Sequence, residues 1–289
     1  MRIMIRYDEI GLKSDQVRKN FEDRLINNIK KKTNDKVFKE NDRIFVGCDG
    51  DNLMGNVLKL RKTPGISSVS PCIETSSEPD KIQSELEEII QDYEEEIENF
   101  ALEVRRTGGH DYTSMELAED LGQRVVDEFD LGVDLENPDL RVHIEVRNKN
   151  AYLFTEKFRC IGGLPIGIEG VSLLMLEDRA SVVAGVFMMK RGCEIIPVTV
   201  DREEEELEEP IGLLKDYDPD LKLVNVDSFD PEEIEKVAKT LGCESVISGA
   251  TNNDLKEGKS FEGFSISVLK PNCSMSDQEV LDKYNEFRF

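Results

Sequence analysis

Residues 167–200, GIEGVSLLMLEDRASVVAGVFMMKRGCEIIPVTV, restrict the fold more than any other stretch of this chain. The apolar run from Val171 to Leu176 reads as a buried strand. A helical stretch from Ser181 to Arg191 is stopped by Gly192, and Glu194 to Val200 reads as a second buried strand. Strand, tight loop, helix and strand make a βαβ unit. In such units the helix N-terminus, with its unpaired N–H groups and the positive end of its dipole, is where phosphate usually sits. A phosphate loop there would be rich in glycine and serine. This one reads Leu176, Glu177, Asp178, Arg179, Ala180, Ser181, with two carboxylates and no glycine.

The flanking pattern extends the frame. After EIIPVTV come a helix near 203–216, a strand LKLVNV, a helix opened by Asp230, Pro231 and Glu233, strands SVISG and FSISVL, and a last helix capped by Ser276 with Glu279. Such alternation predicts a mainly parallel sheet covered on both faces. Upstream, the order is different. Strand RIMIRY precedes a helix with Val17, Phe21, Leu25, Ile26 and Ile29 on one face. KVFK and RIFVGC, a short helix carrying Leu53, Val57, Leu58 and Leu60, and ISSVSPCI then complete a ferredoxin-like succession. A second α+β module follows. Pro79 and Asp80 open a helix with Ile82, Leu86, Ile89, Ile90, Tyr93 and Ile97, and strand FALEVRR comes next. A capping box of Thr113 and Glu116 starts a helix bearing Leu117, Leu121, Val125 and Phe129. Strands LRVHIEV and AYLFTEKF close the module around the turn RNKN. The Gly-rich link IGGLPIGIEG marks a boundary. The expected domains are therefore 1–76, ferredoxin-like; 77–163, α+β; and 164–289, a Rossmann-like parallel sheet.

Charge narrows the partners. The chain carries 61 Asp+Glu against 37 Lys+Arg, a formal net charge of -24, which opposes nucleic acid unless the cations are clustered. They are unevenly spread: residues 1–50 hold 12 basic against 9 acidic residues, while 51–150 hold 10 against 24. Glutamate runs such as ELEEIIQDYEEEIE and REEEELEE read as a solvated acidic coat. No apolar run reaches the ~20 residues that span a bilayer, and the start MRIMIRYDEIG lacks a signal-peptide pattern, so a cytoplasmic protein with no membrane partner is expected. The six cysteines (Cys48, Cys72, Cys160, Cys193, Cys243 and Cys273) contain no C-x-x-C pair and read as buried free thiols. His110 and His143 are the only histidines, and His143 lies within a strand as a packed side chain, so no metal site is expected.

Three stretches carry a family resemblance. RYDEIGLKSDQVRKNFEDRL resembles the opening of the 4-thiouridine synthetase family, also called ThiI. FALEVRRTGGHDYTSMELAEDLGQRV with LRVHIEVRNKNAYLFTEK resembles its THUMP domain. GGLPIGIEG with FMMKRGCEIIPV resembles its PP-loop domain through the shared MMKRG anchor. The chain is similar to an archaeal-like branch of that family. The resemblance implies that the first two domains hold tRNA and that the third adenylates a uridine, with ATP and Mg, before sulfur is inserted.

In the family the nucleotide loop is S-G-G-x-D-S, which falls on Leu176 to Ser181; only the final serine matches. Glycines let backbone N–H groups close on pyrophosphate. Glu177 and Asp178 instead put negative charge there, costing roughly 1–4 kcal/mol per charge at partly wet dielectric. Arg179 is expected to pair with Glu177 or Asp178. The loop is thus a degenerate PP-loop, with no catalytic residue and no cofactor expected. Family sulfur chemistry uses a cysteine downstream of FSISVLKP; Cys273 is the nearest candidate, and it is expected to carry no sulfur. RNA contact is expected at Lys13, Arg18, Lys19, Arg105, Arg106, Lys157 and Arg159, because Lys and Arg supply phosphate contacts. The expected function is tRNA binding in tRNA modification, as an RNA-presenting partner of a separate modifying enzyme, with a homodimer left open. Two other readings stay open: an active ATP-dependent tRNA sulfurtransferase, and a structural or assembly protein.

Overall fold

The computed structural model describes residues 1–7, 14–41, 43–48, 52–200 and 204–288. In chain order its elements begin with β1 (Arg2–Arg6), α1 (Asp15–Lys32), β2 (Val37–Glu40), β3 (Arg43–Gly47), α2 (Leu53–Arg61), β4 (Ser68–Ser76), α3 (Pro79–Tyr93) and β5 (Asn99–Thr107). Next come α4 (Ser114–Phe129), β6 (Gly132–Val133), β7 (Leu140–Arg147), β8 (Asn150–Phe154) and β9 (Phe158–Arg159). The remainder is β10 (Val171–Met175), α5 (Arg179–Lys190), β11 (Glu194–Val200), α6 (Glu204–Tyr217), β12 (Val224–Val226), α7 (Pro231–Leu241), β13 (Ser245–Ile247), α8 (Asn252–Lys256), β14 (Ser267–Leu269) and α9 (Asp277–Arg288). Two compact units are interleaved along the chain. The first comprises Met1–Arg6, Asp35–Val57 and Ser68–Arg159; the second comprises Tyr7–Asn34, Leu58–Ser67 and Cys160–Phe289.

The first unit is organised by one sheet in the order β2-β3-β1-β4-β8-β7-β5-β6, with β9 on β4. Strand β4 serves two neighbours in succession: Ser68–Cys72 pairs with β1, and Ile73–Ser76 pairs with β8. On β7 every second side chain, Val142, Ile144 and Val146, joins a core with Ile82, Leu86 and Ile90 of α3 and Leu117, Leu121 and Val125 of α4. Fully burying each such side chain contributes about 1.5–3 kcal/mol. The start of α4 is fixed as the sequence predicts: the Thr113 hydroxyl accepts from the Glu116 N–H at 3.1 Å, and the Glu116 carboxylate accepts from the Thr113 N–H at 2.8 Å. The alternate residues form the other sheet face, where Phe45 stacks on Tyr152 with ring centroids 4.8 Å apart.

The second unit carries the parallel sheet, in the order β12-β11-β10-β13-β14, with all pairs parallel. Both faces are covered. Val183, Val186, Leu214, Tyr284 and Phe287, from α5, α6 and α9, pack on one face; Ile234 and Ala238 of α7 pack with Leu173 and Val246 on the other. The chain moves from β10 through β11 to β12, then returns across to β13. The reversal therefore falls between β10 and β13, the position at which open parallel sheets bind ligands.

Several local expectations are corrected. Val17 and Leu58, assigned to apolar helix faces, are 38% and 55% exposed. Ile97 is buried but follows the end of α3. AYLFTEKF is two strands, and its second part, β9, pairs with β4. The α5 helix starts at Arg179, two residues early, because Asp178 caps it.

Candidate functional site

The loops after β10 and β13 meet at the sheet reversal. Leu176 is buried and its N–H donates to the Val198 carbonyl at 2.9 Å, extending the sheet edge into the loop. The next donors turn inward. The N–H groups of Glu177 and Asp178 both donate to the Ser181 hydroxyl, at 3.0 and 3.2 Å, and the Ser181 N–H donates to Asp178 Oδ1 at 2.9 Å. Ser181 is fully buried. A resident carboxylate thus holds the helix N-terminus where an external anion would bind. The other loop presses on the same turn: a Cβ on Gly249 would lie 2.4 Å from the Ser181 nitrogen. Buried Asn272 ties the two together, its Nδ2 donating to the carbonyls of Ala180 at 2.7 Å and Gly249 at 3.3 Å.

The charges beside the loop also differ from expectation. Glu177 pairs with Lys259 at 2.9 Å, and the Arg179 guanidinium lies 5.4 Å from the centroid of the Tyr284 ring. Among the described residues, Arg179 makes no ion pair with Glu177 or Asp178, because the cap already engages Asp178. These side chains fit a nucleotide triphosphate poorly: Glu177 and Asp178 place two carboxylates at the mouth, and the Ser181 N–H and hydroxyl are already bonded to Asp178.

The basic candidates fall in both units. Arg18 and Lys19 lie on α1 in the second unit; Arg18 bonds Glu22 at 3.2 Å, and Lys19 is exposed. Lys13 lies outside the described residues. Arg105, Arg106, Lys157 and Arg159 lie in the first unit. Arg105 is paired with Glu103 at 2.7 Å, yet its side chain is 70% exposed. Arg106 donates to the Gly108 carbonyl at 2.7 Å. Lys157 sits between β8 and β9, and Arg159 is on β9, so the two do not end one strand.

The thiols and imidazoles sort by burial. Cys48, Cys72, Cys193 and Cys243 are buried, whereas Cys160 is half-buried and Cys273 exposed, which corrects the uniform expectation. Burial pushes Cys72 up to about 12 and Cys243 up to about 11, keeping both as thiols at neutral pH. His143 stacks on Phe154 with Nδ1 3.2 Å from Glu103; desolvation lowers its pKa despite that carboxylate. Among the described residues, no group of three or more His, Cys, Asp or Glu side chains is placed to hold a metal ion.

Two constellations escaped the sequence reading. Glu145 is buried on β7, 2.8 Å from Arg6 and 3.1 Å from Arg147, and these neighbouring arginines lower its pKa against the effect of burial. Its signal was the charge at alternate positions of an otherwise apolar strand. In the second unit, Lys31, Lys32, Lys59, Lys62 and Lys215 line one cavity of about 340 Å³. Lys32 Nζ donates to the carbonyls of Lys62 and Asp216, both at 2.7 Å; desolvation lowers it to about 7, against the pull of Asp218 and Asp216. These lysines come from three helices and the turn after α2, so no local spacing announced them.

Fold and loop together define a ferredoxin-like and THUMP-containing protein with a parallel-sheet third part. Family models match accordingly: the ThiI ferredoxin-like domain over residues 2–70 and the THUMP domain over residues 76–156. A probable tRNA sulfurtransferase of Methanocaldococcus jannaschii is 33% identical, with 97% of this chain aligned to 86% of that protein. The chain belongs to this family, that of the ThiI-type tRNA sulfurtransferases. A Methanobrevibacter smithii relative of the same description is 36% identical over 74% of this chain, which spans 59% of the relative's length. A crystal structure from Pyrococcus horikoshii Ot3 matches 100% of this chain and 99% of its own, with 30% identity and a TM-score of 0.85. The structure of a 4-thiouridine synthetase–RNA complex with bound ATP shares the fold, with a TM-score of 0.82 and 24% identity over 99% of this chain and 84% of that one. No helix among the described residues is long and apolar enough to cross a membrane.

Proposed function

We propose that this protein binds tRNA and acts in tRNA modification without using ATP itself, presenting RNA to a separate modifying enzyme. Its modules are 1–76, 77–163 and 164–289. Membership of the tRNA sulfurtransferase family and the THUMP match support the RNA half of this reading. One observation carries the other half: in the first turn of α5 the Ser181 N–H is committed to Asp178, the preceding N–H groups of Glu177 and Asp178 are committed to the Ser181 hydroxyl, and the Gly249 backbone abuts the same turn. Nucleotide phosphate would have to displace a fixed carboxylate that already makes charge-assisted bonds to the backbone. The alignment with the M. jannaschii relative runs over 328 positions, more than the 289 residues here, so that relative carries internal segments that this chain lacks.

Two measurements test the reading. Calorimetric titration with ATP and magnesium is expected to show no binding at millimolar nucleotide; micromolar affinity or an adenylated tRNA intermediate establishes the active sulfurtransferase instead. Filter binding to total tRNA across a salt series is expected to saturate at low salt. Arg105→Ala and Arg106→Ala are expected to weaken all tRNAs alike and to flatten the log–log salt slope by about 0.7–0.9 per lost contact. Absence of saturable binding by the wild type refutes the RNA half.

A further inference from the structure

We propose that a groove beside the C-terminal half of α5 binds a single-stranded segment of RNA. The inference rests on the tRNA-binding reading and adds a site that the basic clusters on α1 and β5 do not include. The groove measures about 1090 Å³ and is bounded by α5, by the turn after β14 and by the link at residues 163–169. Its apolar side presents Phe187, Met188 and Met275, all half-buried. Its cations are Lys190, Arg191 and Lys270, against a single carboxylate, Glu169.

That ratio departs from the molecule as a whole, in which acidic residues outnumber basic ones 61 to 37. Lys190 and Arg191 are exposed, and among the described residues their side chains make no ion pair and no hydrogen bond. Lys270 is held with its ammonium 5.0 Å from the centroid of the Phe261 ring. Position at a helix C-terminus accounts for the first two through the dipole. It does not account for Lys270, which comes from the turn after β14.

The wall of the groove is fixed. The Leu164 N–H donates to the Lys190 carbonyl at 2.9 Å, and the N–H groups of Gly167, Ile168 and Glu169 converge on the Gly192 carbonyl at 2.7, 3.0 and 3.1 Å. A Cβ on Gly163 would fall 2.0 Å from the Lys190 oxygen, so the link lies directly on the helix end. A preformed channel with cations along it and a ring and thioethers in its floor matches how single strands are held: backbone phosphates meet the charges and base faces meet the apolar surface. The site is distinct from the capped loop, which lies at the other end of a helix about 18 Å long.

The test uses the full chain with total tRNA and a short 5-iodouridine-containing oligouridine. Photo-cross-links are expected on peptides covering 187–191 or 269–275. The triple variant Lys190→Gln/Arg191→Gln/Lys270→Gln is expected to bind tRNA at least about tenfold more weakly near 0.15 M salt, with its salt slope reduced by about 2, as loss of three single-strand phosphate contacts implies. Met188→Glu, which leaves those three cations in place, is expected to reduce cross-linking as well. If the wild type binds tRNA and both variants bind it with unchanged affinity and slope, the groove assignment fails while the tRNA reading stands. If the wild type does not bind tRNA, both fail. If polyglutamate displaces the oligouridine from the groove while tRNA does not, an acidic protein segment is the occupant and the assignment is overturned.

Discussion

At the N-terminal end of α5 the N–H groups of Glu177, Asp178 and Ser181 are spent within the cap and a second loop is pressed against the turn, whereas at the C-terminal end Lys190 and Arg191 stand exposed beside an open groove. One helix thus has a closed anion site at the end where its dipole favours anions, and unpaired cations at the end where its dipole favours cations. The difference separates what the βαβ frame requires from what a ligand requires. Packing keeps the helix, since Val182, Val183 and Val186 are fully buried. On the function proposed above, a change confined to the first turn is enough to remove phosphate binding.

The largest effect is expected where the closed end is tightest. Gly249→Ala places a Cβ 2.4 Å from the Ser181 nitrogen and 2.7 Å from the Ala180 carbonyl carbon. Neither is a flexible side-chain end, so backbone must shift, costing about 2–4 kcal/mol. Chemical unfolding is the measurement, and an unchanged midpoint would show that the two loops are not pressed together. A smaller loss is expected for Asp178→Ala, which removes the acceptor of the Ser181 N–H and should destabilise by about 1–2 kcal/mol. That variant also breaks the comparison if it is wrong: freeing the helix N-terminus should let pyrophosphate bind detectably by calorimetry. No gain over wild type would mean that the carboxylate is not what excludes phosphate.

The legibility of these features in the sequence followed the range of the interactions. The βαβ frame, the capping boxes at Thr113 and Ser276, and the β7 alternation are set by neighbours a few residues apart, and periodicity and cap chemistry reveal them. The identities of Leu176 to Ser181 announced two carboxylates at the loop. They did not show that Ser181 would turn inward, nor that Gly249, 68 residues downstream, would abut it. Arg179 was misassigned for the same reason, because Tyr284 reaches it from α9. The groove draws on α5, the link at 163–169 and the turn after β14, and no window of sequence contains all three.

Lys32 sharpens the contrast between spent and open polar groups, with the smallest effect. Its ammonium donates to two backbone carbonyls, while Lys190 lines an open groove. Desolvation holds Lys32 at about 7 in the folded chain, below its ordinary 10.5; Asp218 and Asp216 oppose the shift and Lys62 reinforces it. Between those values the unfolded chain binds a proton that the folded chain does not, so stability rises with pH from about 7 upward. The limiting slope is about 1.4 kcal/mol per pH unit, and water at the half-buried side chain reduces the gain to about 1 kcal/mol over the window. Above about 9 the trend reverses. The raised pKa values of Cys243 and Cys72 mean that the unfolded chain releases those protons first, which costs stability. Urea unfolding at pH 7, 8 and 9 should therefore show a rising midpoint for the wild type and a flat one for Lys32→Met. Lys190→Gln is the control, since it removes a cation outside the enclosure. If Lys32→Met keeps the full wild-type rise, the enclosed ammonium is not its source.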